Sequence, residues 1–174
     1  EIVQTYADEG KSGLRIDGRD YEITTFRAES YEPDSRKPEV SFGDTIEVDL
    51  SRRDFTVNAM ALAVPVPELI DPYDGAADLA AGVLRTPLAP EVSFVDDPLR
   101  MLRIARFVSL LGFEPDEPLR KAAAEHAETI LAISRERWLL EMNKLLLGPH
   151  CRAALELLRE CRLLGMILPE AAAM

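Results

Sequence analysis

Hydrophobic periodicity changes once along the chain, near residue 85. Before that point short apolar runs alternate with turn residues. After it the apolar residues recur at helical spacing. Residues 21–26, rich in β-branched and aromatic side chains, predict a strand. Residues 59–64 form a short apolar run suited to a buried strand, and residues 83–86 predict an edge strand stopped by Pro87. Residues 28–44 carry Pro33, Pro38, Gly43 and seven charged side chains, which predicts a long loop. Loops of that length in compact domains are usually functional or disordered. Beyond Pro87 the spacing predicts a helix over 97–111, with Pro98 in its first turn and Gly112 as its stop. Residues 118–132 are Ala-rich and helical. Ser134 is placed to cap a helix over 135–147, whose Trp138, Leu139, Met142, Leu145 and Leu146 predict one buried stripe. Residues 150–162 predict another helix. The expected architecture is α+β: a small mixed part over 1–86, then an all-helical part over 87–174.

Of the 174 residues, 47% are apolar and 29% charged, which excludes a disordered tail, a collagen-like rod and a disulfide scaffold. The 31 acidic against 20 basic residues give a net charge of −11. A field of that sign does not attract nucleic acid, so an anionic ligand needs a local cationic cluster. Cys151 and Cys161 lie roughly 15 Å apart along a helix at ~1.5 Å per residue, too far for a disulfide. They read as reduced thiols, which fits a cytoplasmic location. No apolar run reaches the ~18–20 residues of a membrane span. Glu1 stands where a Met would start a complete chain, which predicts a fragment or a chain without its disordered start.

Several constellations are able to carry chemistry. Arg52-Arg53-Asp54-Phe55-Thr56-Val57-Asn58 joins two arginines to a carboxylate and an amide. Arginine forks suit phosphate oxygens, and Asp54 and Asn58 suit ribose hydroxyls. The alternative is a solvated helix end with Asp54 paired to an arginine. In Asp96-Asp97-Pro98-Leu99-Arg100, continued by Arg103 and Arg106, three arginines share one side of a helix. Their partners are either intramolecular carboxylates or ligand phosphates. Asp71-Pro72-Tyr73-Asp74-Gly75 with Asp78 reads as a loop entering a helix, its carboxylates in structural use. Ser134-Arg135-Glu136-Arg137 with Glu141 and Lys144 reads as structural, Arg137 and Glu141 forming an i, i+4 pair. There is no HExxH helix, Walker loop, GxGxxG turn or nucleophile elbow.

Taken in order, these strings resemble the class II tRNA nucleotidyltransferase family of CCA-adding enzymes and bacterial poly(A) polymerases. Residues 52–61 resemble its RRDFTxNAxA motif, Asp71 to Leu79 its DPxxGxxDL motif and Asp96 to Arg100 its EDxxR motif. Ser134 to Lys144 resembles its last, helix-borne motif. Residues 21–29 and 31–38 resemble a strand and a loop that precede the RRDFT string. The likeness runs over about residues 15–147.

The resemblance implies a polymerase-β-like head followed by a helical neck and body, with 97–111 as a base-recognition helix. It implies transfer of nucleotides from CTP and ATP to the 3′ end of tRNA, aided by two Mg²⁺ ions. Arg52, Arg53, Asp54 and Asn58 would hold the incoming nucleotide, Asp54 accepting from the ribose. Asp96, Asp97 and Arg100 would read the base edge, and Arg103 and Arg106 would face the triphosphate. Glu22 would be the third carboxylate beside the metal ions, and the loop over 28–44 would couple base recognition to closure. The family's main Asp-x-Asp metal ligands and its Gly-Gly turn occur nowhere in these residues, so they are expected before Glu1. The family's body and tail, which hold the tRNA, are expected beyond Met174. Poly(A) polymerase, an enzyme adding only A or only C, and an inactive nucleotide- or RNA-binding module are the rival readings.

Overall fold

We describe a computed structural model, which covers residues 2–8, 11–30, 39–42 and 45–172. The chain forms two compact units, 1–49 and 50–174.

In the first unit β1 (Ile2–Asp8), β2 (Lys11–Ile16) and β3 (Arg19–Thr24) make an antiparallel sheet in that order. Asp17 and Gly18 turn the chain from β2 to β3 with positive φ. Arg15 and Asp20 face each other across these strands and pair at 2.7 Å. The Arg15 hydrogen bond holds the Asp20 carboxyl below the usual carboxylate range. The strand expected over 21–26 thus starts earlier and ends sooner. β4 (Arg27–Ser30) pairs antiparallel with β5 (Glu39–Phe42), so both ends of the expected 28–44 loop are laddered backbone. Its remainder, 31–38 and 43–44, lies outside the described residues. α1 (Ile46–Ser51) runs across the division between the units.

The second unit opens with a 3-10 turn at Thr56–Asn58 and the short antiparallel pair β6 (Ala61–Ala63) and β7 (Glu68–Ile70). The expected buried strand over 59–64 is corrected: only Ala61–Ala63 is strand, Leu62 and Val64 are 61% and 80% exposed, and within the run Ala59 alone is fully buried. α2 (Gly75–Ala81) follows, its first N–H groups at Gly75 and Ala76 donating to Asp71 at 2.7 and 2.9 Å. That is the structural use expected of this carboxylate, since the first turn of a helix has orphan donors. β8 (Val83–Leu84) pairs in parallel with β9 (Glu114–Pro115), so hydrogen bonds cross the expected 86/87 division.

Between them lie α3 (Pro90–Asp96) and α4 (Arg100–Leu111). The helix expected over 97–111 is therefore shorter. Asp97 is extended (φ −147°, ψ 99°), Pro98 and Leu99 form a turn, and Arg100 is the first helical residue. Its C-terminus is as expected, at Gly112 with φ 69°. α5 (Glu117–Glu125) begins at Asp116, whose side chain accepts from Leu119 N at 3.0 Å. α6 (Arg135–Leu146), α7 (Cys151–Glu160), α8 (Leu163–Ile167) and α9 (Pro169–Ala172) complete the unit.

The core gathers around α4, which packs on α6, α7, α3 and β9. Met101, Leu102, Ile104 and Ala105 meet Phe94, Leu119, Leu145 and Leu158 there. On α6 the buried stripe is Trp138, Glu141, Met142 and Leu145, whereas Leu139 and Leu146 are 60% and 51% exposed. Ser134 stands at the N-cap without bonding the backbone; the Glu136 N–H, aided by the Ser134 hydroxyl, holds the Glu136 carboxyl below its ordinary range. Burial pushes the Cys161 thiol up, while Cys151 is half-buried. Among the described residues no helix is long and apolar enough to cross a membrane.

Candidate functional site

Residues 52–58 leave α1 in an irregular turn that buries 54–56 and leaves 53 and 58 exposed. Phe55 is fully buried and meets Phe107 of α4 edge-on at 5.1 Å. That anchor leaves Arg53 outside and draws Asp54 inside. Thr56 N donates to Arg85 O at 2.9 Å, and the Thr56 hydroxyl donates to buried Asp78 at 2.7 Å. Arg85 pairs with the other Asp78 oxygen. A Cβ at Gly75 would overlap the Thr56 carbonyl, so glycine permits α2 to close on this turn.

Asp54 uses its two oxygens unequally. Oδ1 accepts from Phe55 N and from the Asn58 amide, both at 2.9 Å. Oδ2 lies 2.7 Å from an Arg103 terminal nitrogen. That contact is charge against charge without hydrogen-bond alignment. Asp54 Oδ2 and Arg103 Nε are both buried with no hydrogen-bond partner among the described residues. Buried polar atoms left in this state are uncommon in folded proteins and call for an explanation.

Arg100, at the head of α4, turns back toward the same string. It donates to Arg52 O, to Ser93 Oγ at 2.7 Å and to Ser93 O at 3.4 Å. Asp97, between α3 and α4, accepts from Leu99 N on Oδ1 at 3.2 Å and from Arg137 of α6 on Oδ2 at 3.0 Å. Asp96 closes α3 beside it.

Arg106 goes the other way. Its guanidinium pairs with Glu141 of α6 at 2.8 Å and sits 4.8 Å from the Phe107 ring centre, both charged side chains being 11% exposed. Arg106, expected to face a triphosphate, here has its charge met by Glu141, buried one helix away. The expected Arg137–Glu141 pair is corrected. Each reaches across to the 97–106 segment rather than along α6.

The structure therefore brings Arg52, Asp54, Asn58, Arg100 and Arg103 into one connected set, with Asp97 tied to α6. Arg53 lies on the exposed side of the same turn. Glu22 lies on β3 in the other unit, on a strand exposed along its length. Among the described residues no three His, Cys, Asp or Glu side chains gather to hold a metal ion. These residues alone do not fit a two-Mg²⁺ centre, which needs carboxylates in addition to Glu22. Sequence reasoning missed Ser93 and the outward reach of Arg137. Ser93 belongs to a short helix with no apolar period, and Arg137 had a nearer acid at i+4.

Residues 2–85 match the family described as Poly A polymerase head domain, and residues 112–174 the one described as Probable RNA and SrmB-binding site of polymerase A. The chain is 42% identical over 154 residues to a CCA-adding enzyme of Lactiplantibacillus plantarum, covering 88% of this chain and 38% of that protein. It is 43% identical over 167 residues to the CCA-adding enzyme of Bacillus subtilis, covering 93% of this chain and 42% of that protein. Among solved structures, the Bacillus stearothermophilus CCA-adding enzyme in complex with CTP superposes with a TM-score of 0.82. That pair is 37% identical and covers 94% of this chain and 39% of that one. A tRNA nucleotidyltransferase complexed with a primer tRNA and an incoming ATP analogue gives 0.78 at 32% identity, over 96% and 47% of the two chains. The expected mixed head followed by helices is the fold of these structures. The chain spans about two fifths of the length of the curated relatives it matches.

Proposed function

Because the chain belongs to the CCA-adding enzyme family, we propose that the full-length protein adds C and A nucleotides from CTP and ATP to the 3′ end of tRNA. The tRNA 3′ hydroxyl oxygen gives up its proton to solvent and bonds the α-phosphorus, the bond to the bridging oxygen breaks, and pyrophosphate leaves. The bound CTP and the primer tRNA of the solved relatives support this choice of substrates.

One observation carries the reading. Asp54 Oδ2 and Arg103 Nε are a buried acceptor and a buried donor held together without a hydrogen bond between them. A nucleotide satisfies both: its ribose hydroxyl donates to Oδ2 and its phosphate accepts from Arg103. Asn58 holds the other Asp54 oxygen, so the carboxylate is oriented before the ligand arrives. Arg53 takes a phosphate oxygen from the solvent side of the turn. Arg100 carries Arg52 and the base-reading turn together, and Asp97 presents acceptors to the amino edge of cytosine or adenine. Arg106 serves by fastening α4 to α6. The reaction takes place in the cytoplasm; Mg²⁺, which the described residues do not hold by themselves, would supply Lewis acidity at the phosphates.

The test is incorporation by the full-length protein into tRNA lacking its 3′ end, with Mg²⁺ and each of the four NTPs. C and A addition that stops at a complete terminus is expected. The head-domain match favours a second reading, poly(A) addition, which predicts an unlimited tail from ATP alone. No incorporation with any NTP would identify a binding module and overturn both.

A further inference from the structure

We propose that Arg137 is a positioning residue for base selection: it fixes the Asp97 carboxylate in the orientation that reads the nucleotide base. The inference rests on the reading of Asp97 as a base contact. Asp97 is not on a helix. Its extended backbone leaves the side chain free of the directional constraint that a helical turn imposes. Two contacts supply the constraint instead. Leu99 N–H holds Oδ1 from the turn itself, and Arg137 holds Oδ2 from α6. Each carboxylate oxygen accepts about two hydrogen bonds, so each keeps a lone pair for a ligand once these are made.

The anchor behind Arg137 is firm. Its neighbour Trp138 is buried, and Met142 and Leu145 continue the same stripe into the core. One turn beyond Arg137, Glu141 grips Arg106 on α4. α6 thereby holds the 97–106 segment at both ends, by a cation on its acidic end and an anion on its basic end. The Arg137–Asp97 pair itself is open to water, with side chains 49% and 26% exposed. Exposed pairs contribute little to stability. What the pair supplies is direction, and an acceptor aimed at a base edge loses its discrimination once it swings.

The experiment uses the full-length protein and measures kcat/KM for CTP, ATP and UTP on tRNA lacking its 3′ end, with unfolding midpoints alongside. Arg137→Ala is expected to lower the CTP-over-UTP ratio on the order of tenfold, less than the roughly hundredfold that a full ångström of misplacement costs. Its unfolding midpoint should move no more than that of Arg152→Ala, which opens the exposed Arg152–Glu156 pair on α7. Arg137→Lys keeps the charge and should restore part of the ratio. Asp97→Ala with Arg137→Ala together should discriminate no worse than Asp97→Ala alone, because one residue acts through the other. An unchanged ratio in Arg137→Ala, an equal loss for every NTP, or additive losses in the double variant would each overturn the proposal. Wild-type protein that takes UTP as readily as CTP would overturn the base-contact reading beneath it, and the proposal with it.

Discussion

Asp54 and Asp78 are both buried, and both stand opposite an arginine. At Asp78 every partner is internal and aligned: one oxygen takes the Thr56 hydroxyl, the other takes Arg85. At Asp54 one oxygen is satisfied by the chain, and the other faces Arg103 without a hydrogen bond. The first arrangement closes a structure. The second holds capacity open for something that arrives later. Burial and charge are alike in these two buried places, so there an aligned bond to the arginine separates the fastening from the site, whereas the spare lone pairs of Asp97 stay within reach of a ligand because its side chain is partly exposed.

That contrast is broken or sharpened by substitution. The largest effect is expected at Asp78. Asp78→Ala strands the buried Thr56 hydroxyl and takes one of the two carboxylate partners of Arg85, leaving Asp116, and should lower unfolding free energy by about 3 kcal/mol, with CTP affinity unchanged in the fraction that folds. Denaturant titration beside calorimetric CTP binding reads both, and a stable Asp78→Ala that binds poorly would erase the distinction. Gly75→Ala pushes a methyl into the Thr56 carbonyl and should cost about 2–3 kcal/mol by the same denaturant measurement. Arg53→Ala works on the open side: CTP and ATP affinity should fall by about 2 kcal/mol, the worth of a charge-assisted hydrogen bond, with the unfolding midpoint held. Dissociation constants within twofold of wild type would remove Arg53 from the nucleotide. The smallest effect is expected for Asp54→Asn, which keeps Oδ1 as an acceptor and replaces the open oxygen by a donor. Affinity should fall about tenfold, or ~1.4 kcal/mol, while stability changes less than in Asp78→Ala.

The legible parts of this molecule were those decided locally. Asp71 lies four residues before Gly75 with turn residues between, and its carboxylate caps α2 as such a spacing suggests. Gly112 stops α4 because its own φ is positive. The illegible parts were decided by partners distant in sequence. Hydropathy places Leu139 and Leu146 inside and Glu141 outside, yet Glu141 is buried because Arg106 meets it from α4. The sequence puts Asp97 at the start of a helix, with Pro98 in a favoured first-turn place. α3 ends there first, and the chain needs a turn before α4 can begin. The string 52–58 announced its residue types but not its bonds. Whether Asp54 would be paired or waiting depended on the angle at which Arg103 arrives.

The two ion pairs that join α6 to the 97–106 segment also bear on descent. A change at 106 alone abandons a buried charge at 141, at a cost comparable to most of a small domain's stability margin. Lineages that alter one of these positions therefore have to alter the other, or pass through a neutral pair. Recombination between relatives meets the same barrier. A crossover between α4 and α6 separates Arg106 from Glu141 unless both parents carry the same signs, so the interval from 106 to 141 is expected to be inherited as a block.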